Sequence, residues 1–178
     1  MITTQEYFSY YHLDTARAKG YTGKGVSIAM IDGKVDTGVP ELAGAQVASE
    51  SPCTINSSPA VTSHGTGVAS ILVAQGYGVA PEASLRAYQI TLGGDGDTSG
   101  SDCKGESGDD RDNLPWLLNR AMNDGAQIIN VSASSISSAK ALKWTVARSM
   151  AQGVSITAAA GNEAQDDDDT SLSKWSGV

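Results

Sequence analysis

The chain has 178 residues, of which 40% are hydrophobic, enough for one compact domain with its own core. Its 20 acidic and 12 basic residues give a net charge of −8 at neutral pH, which disfavours a nucleic-acid or anionic-membrane partner and is typical of a solvated, soluble surface. No apolar stretch is long enough to span a bilayer, and the first residues lack the layout of a signal peptide, so any such signal was removed or never present.

Apolar runs alternate along the chain with segments of helical period, the pattern of a parallel α/β sheet. The sequence predicts strands at 26–31, 45–48, 84–90, 127–132 and 154–159, and helices at 64–75, 113–125 and 139–153. Gly125 and Gly153 stand where the last two helices should stop, and the Gly-, Ser- and Asp-rich segment 93–112 reads as an exposed loop. The expected fold is α/β, a doubly wound, mostly parallel sheet with helices on both faces, forming a single domain over 1–178.

Two cysteines, Cys53 and Cys103, lie in polar, loop-like surroundings. Two are too few for a disulfide scaffold, and neither has a second Cys or His at the spacing of a zinc site. The pattern favours a Cys53–Cys103 disulfide, which would fit an oxidising compartment, and leaves two free surface thiols as the alternative.

Chemically suggestive residues follow the ends of the predicted strands. Asp32 follows the first strand, the segment 130–134 (NVSAS) closes the fourth, and Asn162 follows the fifth in AAAGNE. His64 opens a predicted helix in SHGTGVAS, with Ser63 placed to cap it. In open α/β sheets ligands bind at the carboxyl ends of the strands, so an aspartate, a histidine and an asparagine there could be the orienter, general base and oxyanion donor of an acyl-transfer site.

Each of these residues also has a simpler structural explanation. Asp32 could cap a turn, Asn162 could occupy a left-handed turn beside Gly161, and His64 could be a core or surface histidine. Their order along the chain and the sequence motifs around them favour the acyl-transfer site.

These sequence motifs resemble those of the subtilase family of serine proteases over nearly the whole chain. The resemblance rests on YTGKGVSIAMID (21–32), HGTGVAS (64–70), GVAPEASLRAYQI (78–90), NRAMNDGAQIINVSAS (119–134) and AAAGNE (158–163). It implies that Asp32 and His64 belong to a catalytic triad and that Asn162 donates to the oxyanion. It also implies that Ser132, Ala133 and Ser134 bind the substrate backbone, with residues 91–100 on the substrate's other side.

The resemblance also separates two candidate aspartates. Asp36 carries the more familiar word, Asp-Thr-Gly, but subtilases place the catalytic aspartate directly after the first core strand, with a Pro-acidic-Leu triplet shortly after it. The triplet at 40–42 (PEL) fits that place only if Asp32 is the catalytic residue. Gly33-Lys34 stands where the family usually has Ser/Thr-Gly, and this Gly-x-Val-Asp variant (33–36) resembles that of some maturation subtilases that cut ribosomal peptide precursors, such as the cyanobactin-type proteases.

The family's nucleophile word, Gly-Thr-Ser-x-Ala, does not occur in these 178 residues. The chain therefore reads as the N-terminal part of a larger catalytic domain, with the serine expected beyond residue 178 and the remaining C-terminal part as a partner. Two hypotheses follow: a serine endopeptidase acting on peptides or proteins, in which this piece alone would be inactive, and a non-catalytic peptide-binding or docking module on the same scaffold. A downstream nucleophile word would discriminate between them.

No cofactor is expected. The resemblance implies calcium as a partner of some members, but the connection 74–81 is short and lacks the Asn-rich insertion of their strong calcium loop. The acidic run 166–169 could bind a hard cation, although such runs are usually solvated loops. Mycosin-like secretion proteases also place a cysteine before the histidine word, which favours a secreted or cell-envelope bacterial protein.

Overall fold

The apolar run at 26–31 forms the middle strand of a five-stranded parallel sheet. This computed structural model describes residues 5–92, 97–105, 110–133, 139–159 and 172–174. The strands are β1 (Ser27–Asp32), β2 (Gln46–Glu50), β3 (Ile55–Asn56), β4 (Ser84–Gln89), β5 (Thr98–Ser99), β6 (Ile128–Val131) and β7 (Ser155–Ala158). The sheet has the order β2-β4-β1-β6-β7, and β3 and β5 form a separate antiparallel pair. The five predicted strands are confirmed, each end within two residues.

Helices cover both faces of this sheet. They are α1 (Glu6–Tyr10), α2 (Leu13–Ala18), α3 (Pro59–Val73), α4 (Leu114–Asn123) and α5 (Ala139–Gln152), with short 3-10 turns at Pro40–Leu42, Ser101–Cys103 and Leu172–Lys174. On one face, Ala69 and Val73 of α3 pack in a core cluster with Met30 and Leu85. The larger cluster on the other face contains apolar residues of α4 and α5. The doubly wound α/β prediction is therefore confirmed.

Local signals set the limits of the helices. Asn113 caps α4, its side chain accepting a hydrogen bond from the Trp116 N–H at 2.9 Å. Gly125 and Gly153 adopt φ values of +84° and +69° just after α4 and α5, where a side chain would be strained, so both predicted stops are confirmed. Within the segment predicted as an exposed loop at 93–112, the described residues include the short strand β5 and the buried Cys103, so this loop is not exposed throughout.

The N-terminal helices, which the sequence did not predict, hold the turn that follows α3. The Arg17 guanidinium donates hydrogen bonds to the backbone carbonyls of Gln75, Gly76 and Gly78. The Tyr7 hydroxyl donates to the Tyr77 carbonyl at 3.0 Å. A cationic side chain thus satisfies the carbonyl groups of this short connection. Among the described helices, none is both long and apolar enough to cross a membrane.

Three adjacent strands end at the same edge of the sheet. Asp32 of β1 pairs in register with Gln89 of β4, and on its other side Ile31 pairs with Val131 of β6. The carboxyl ends of parallel strands form the edge at which α/β proteins bind ligands. This edge therefore brings Asp32, Gln89 and the segment after Val131 together.

Candidate active site

Asp32 is the last residue of β1 and is completely buried. Its Oδ1 accepts a hydrogen bond from the Gly33 N–H at 2.6 Å, whereas Oδ2 has no hydrogen-bond partner within the part of the chain that the structure describes. Burial raises the pKa of Asp32, because removal from water disfavours the charged carboxylate; the hydrogen bonds from His64 and Gly33 oppose that effect. The carboxylate therefore depends on nearby donors to stay ionised.

His64 supplies one of those donors. Its Nδ1 lies 2.8 Å from Asp32 Oδ1, close enough for a strong hydrogen bond. In a neutral imidazole, Nδ1–H donating to the carboxylate leaves Nε2 as the basic nitrogen. The His64 side chain is 52% exposed, so the ring is anchored on one side by a buried acid and open on the other.

The helix that carries His64 begins earlier than the sequence predicted. α3 starts at Pro59, and Ser58 caps it, its hydroxyl accepting from the Val61 N–H at 3.3 Å. The prediction that Ser63 caps a helix beginning at His64 is wrong. Because His64 lies in the second turn of α3, the helix fixes its backbone position, and the hydrogen bond to Asp32 orients its ring.

Two glycines allow α3 to approach the end of β1. A Cβ on Gly65 would lie 2.6 Å from the Gly33 carbonyl oxygen, and one on Gly33 would lie 2.4 Å from Val61 Cγ1. Neither distance is compatible with a side chain. The contact between Gly33 and α3 therefore requires glycine on both sides, and it allows α3 to lie close to Asp32.

Asp36 occupies a different environment. It is exposed, and its Oδ1 accepts a hydrogen bond from the Gly38 N–H at 2.9 Å in a turn. Its own N–H donates to Thr66 Oγ1, also at 2.9 Å. Of the two candidate aspartates, the one hydrogen-bonded to His64 is Asp32.

The proposed substrate edge is only partly described. Ser132 and Ala133 follow β6 directly, and the Ser132 hydroxyl accepts a hydrogen bond from the Asn130 side-chain amide at 2.8 Å. Asn130 is held in turn by the Thr157 hydroxyl on β7, at 3.2 Å. Ser134 and Asn162 lie outside the described residues, and so do the acidic run 166–169 and four of the ten residues of the segment 91–100, namely 93–96.

Cys53 and Cys103 form a disulfide. The same region is joined by the β3–β5 pairing and by Asp102, whose Oδ2 accepts hydrogen bonds from the Thr54 N–H and hydroxyl at 2.9 and 3.0 Å. These contacts hold the segment before α3 against the loop that contains Thr98–Ser99. Asp112 lies near the two sulfur atoms, but sulfurs joined in a disulfide are not thiolate ligands for a metal.

Comparison with known proteins gives consistent matches. The model of the subtilase family matches residues 23–175. Subtilisin E of Bacillus subtilis (strain 168) is 32% identical over 154 residues, which are 82% of this chain and 36% of that protein. The major intracellular serine protease of the same organism is 30% identical over 166 residues, 86% of this chain and 48% of that protein.

Solved structures agree on the fold. A mutant of the protease domain of PatA superposes with a TM-score of 0.62 at 27% identity, covering 80% of this chain and 52% of that one. The prenylagaramide maturation protease PagA gives a TM-score of 0.61 at 24% identity, covering 84% and 50%. The chain spans about a third of the length of subtilisin E and about half of these structures. Because the family model covers most of the chain, the chain belongs to the subtilase family.

Proposed function

We propose that the protein is a subtilisin-like serine endopeptidase in which Asp32 and His64 are two members of an Asp-His-Ser triad. The observation that carries the proposal is the 2.8 Å hydrogen bond between a fully buried carboxylate and a half-exposed imidazole. Membership of the subtilase family adds independent support. The nucleophilic serine is expected in a segment beyond residue 178, so that remaining part of the catalytic domain is the first partner of this chain.

His64 would act as general base and then as general acid. Its Nε2 takes the proton from the serine hydroxyl as the oxygen attacks the peptide carbonyl, and it returns that proton to the leaving amine. Asp32 keeps the ring in the tautomer with Nδ1 protonated and stabilises the imidazolium that forms. Without the serine, base and orienter have no nucleophile to activate, so we expect this chain alone to be inactive.

Asn162 would donate a hydrogen bond to the oxyanion of the tetrahedral intermediate. In subtilisin, losing such an asparagine costs about 10²–10³ in kcat. Ser132, Ala133 and Ser134 would pair with the substrate backbone as an added β-strand, and residues 91–100 would flank its other side. The position of Ser132 and Ala133 directly after β6, beside the strand that ends in Asp32, supports this assignment.

The proposed substrates are peptides or proteins. The patellamide maturation protease PatA, which is 26% identical to this chain, supports a peptide precursor as one substrate class to test. A disulfide persists in an oxidising compartment, so the Cys53–Cys103 bond supports a secreted or cell-envelope location. The bacterial origin of the curated relatives supports a bacterial source. Calcium at 166–169 remains a minor proposal, to be tested by titration.

The decisive experiment is labelling of the complete protein, including its downstream segment, with a fluorophosphonate probe followed by peptide mapping. We expect one labelled serine beyond residue 178, and we expect His64→Ala to abolish its labelling. His12→Asn is the matched control: His12 is the other of the two histidines, is exposed, and has a φ of +54° that asparagine tolerates.

Labelling of the wild type that survives His64→Ala would remove His64 from the mechanism. No labelling of the wild type, under conditions in which a control serine protease reacts, would refute the protease and favour the peptide-binding module.

A further inference from the structure

Gln89 is the last residue of β4 and is only 6% exposed. It pairs in register with Asp32 on the neighbouring strand. Side chains at paired positions of adjacent strands project to the same face of a sheet, and Met30 and Ala87, two residues earlier, both pack in the core cluster that contains residues of α3. Gln89 and Asp32 thus project toward the face that α3 covers.

The Gln89 amide binds the segment from which α3 starts. Its Nε2 donates a hydrogen bond to Ser57 Oγ at 2.7 Å and lies 3.5 Å from the Ile55 carbonyl oxygen. Ser57 directly precedes Ser58, the N-cap of α3. A buried side chain on the strand beside Asp32 is therefore connected, through one hydrogen bond, to the start of the helix that carries His64.

The segment before α3, residues 53–58, also contacts a loop outside the five-stranded sheet. The Cys53–Cys103 disulfide, the hydrogen bonds between Thr54 and Asp102, and the β3–β5 pairing join it to the loop at 98–103. They fix the segment relative to a loop, whereas Gln89 fixes it relative to the strands.

We propose that Gln89 is a positioning residue that sets the distance of the start of α3 from the sheet, and with it the distance between His64 Nδ1 and Asp32. The inference rests on the proposed function. The first turns of a helix move as a rigid unit, so a displacement of the cap at Ser58 is transmitted to His64 six residues later. Because a catalytic group displaced by about 1 Å can cost on the order of 10² in rate, a small shift should be measurable.

The test compares variants of the complete protein on a peptide substrate. Gln89→Met retains the approximate shape of the side chain and removes its donor; Ser57→Ala removes the acceptor. We expect each to lower kcat roughly tenfold, the effect of about 1.4 kcal/mol at the transition state, with KM changed less than about twofold. The double variant should lose no more than either single variant, and Ser57→Thr, which retains a hydroxyl, should recover most of the activity.

Gln127→Met is the matched control, because the Gln127 side chain accepts a hydrogen bond from the Ser27 N–H at the opposite end of the sheet. It should leave kcat unchanged even where it lowers Tm. Additive losses from Gln89→Met and Ser57→Ala, an unchanged kcat, or a rise in KM alone would overturn the positioning role.

A second measurement separates this inference from the proposed function. The Nδ1–H proton of His64 in its hydrogen bond to Asp32 gives a low-field NMR resonance that does not depend on a nucleophile. We expect Gln89→Met to shift or broaden it and Gln127→Met to leave it unchanged. If the wild type fails to label with a fluorophosphonate yet the resonance responds to Gln89→Met, the protease assignment fails and the positioning role stands. An unaltered resonance refutes the positioning role in either case.

Discussion

Asp32 and Asp36 lie four residues apart in the sequence but differ in what surrounds their carboxylates. Asp32 is buried and hydrogen-bonded to His64, whereas Asp36 is exposed and closes a turn with Gly38. An acid that orients an imidazole must be shielded from water, because competition with solvent weakens the hydrogen bond that fixes the tautomer. At the scale of single residues, burial therefore distinguishes the two aspartates better than the sequence word around them.

Asp32→Asn should lower kcat of the complete protein by about 10⁴, the size of loss known for this change in Ser-His-Asp proteases, because an amide favours the wrong tautomer. Asp36→Asn should retain nearly full activity, since an asparagine oxygen can still accept from the Gly38 N–H. Steady-state kinetics on one peptide substrate would measure both. The reverse order of effects would make Asp36 the catalytic aspartate.

The raised pKa of Asp32 also predicts a pH dependence of stability. A carboxyl group whose pKa is higher in the folded than in the unfolded protein stabilises the fold fully below its usual pKa of about 3.9, and that contribution is lost as pH rises through the folded value. Asp32→Asn does not titrate there. Its Tm should therefore rise relative to wild type between about pH 4 and neutral pH.

Thermal unfolding in the presence of a reversible serine-protease inhibitor would measure this difference without autolysis. Asp36→Asn gives the baseline for removing one exposed negative charge. A Tm difference for Asp32→Asn that does not vary with pH beyond that baseline would show that burial does not govern the ionisation of Asp32.

At the scale of secondary-structure elements, the site depends on how closely α3 approaches the chain after β1. Gly65→Ala places a methyl group 2.6 Å from the Gly33 carbonyl oxygen and 2.7 Å from that of Lys34, so the helix must move. We expect kcat to fall by about 10² or more, because His64 moves with the helix. Fluorophosphonate labelling rates of the complete protein would measure the effect.

Gly67→Ala is the matched control in the same helix. A Cβ on Gly67 meets nothing within 4 Å among the described residues, and alanine is favoured over glycine in a helix by up to about 1 kcal/mol. It should leave activity near that of wild type and raise Tm slightly. Equal losses from the two variants would argue against the contact between Gly65 and the 33–34 backbone.

At the scale of the whole molecule, the Cys53–Cys103 disulfide closes a loop over a sequence separation of 50 residues. It joins the segment before α3 to the loop after β4, so it connects the histidine side of the site to the proposed substrate-flanking loop. Replacing both cysteines by serine should cost about 4 kcal/mol of unfolding free energy on the chain-entropy model. Urea unfolding of the inhibited protein would measure the loss.

The same variant should raise KM more than it lowers kcat, because the hydrogen bond from Gln89 to Ser57 is still present while the flanking loop loses its covalent link. Thiol trapping of the wild type under denaturing, non-reducing conditions should find no free cysteine. Two reactive thiols, or a variant as stable as wild type, would contradict this role.

The sequence by itself determined the sheet and pointed to two residues of the candidate site. Hydrophobic runs and glycine stops are local signals, so five strands and the ends of α4 and α5 were predicted closely. The motifs that resemble those of the subtilase family pointed to Asp32 and His64. The start of α3 was predicted five residues late, because the cap at Ser58 lies in a polar stretch without helical period.

Only the tertiary structure decided the contacts between these elements. The contact of Gly65 with the 33–34 backbone, the hydrogen bond from Gln89 to Ser57 and the three carbonyls bound by Arg17 join residues more than 30 positions apart. Such contacts leave no periodic pattern in a single sequence, since each depends on where separate elements come to rest in the packed core. The contact of Gly65 with the 33–34 backbone lets α3 lie close to Asp32, and the geometry on which the proposed chemistry depends follows from that approach.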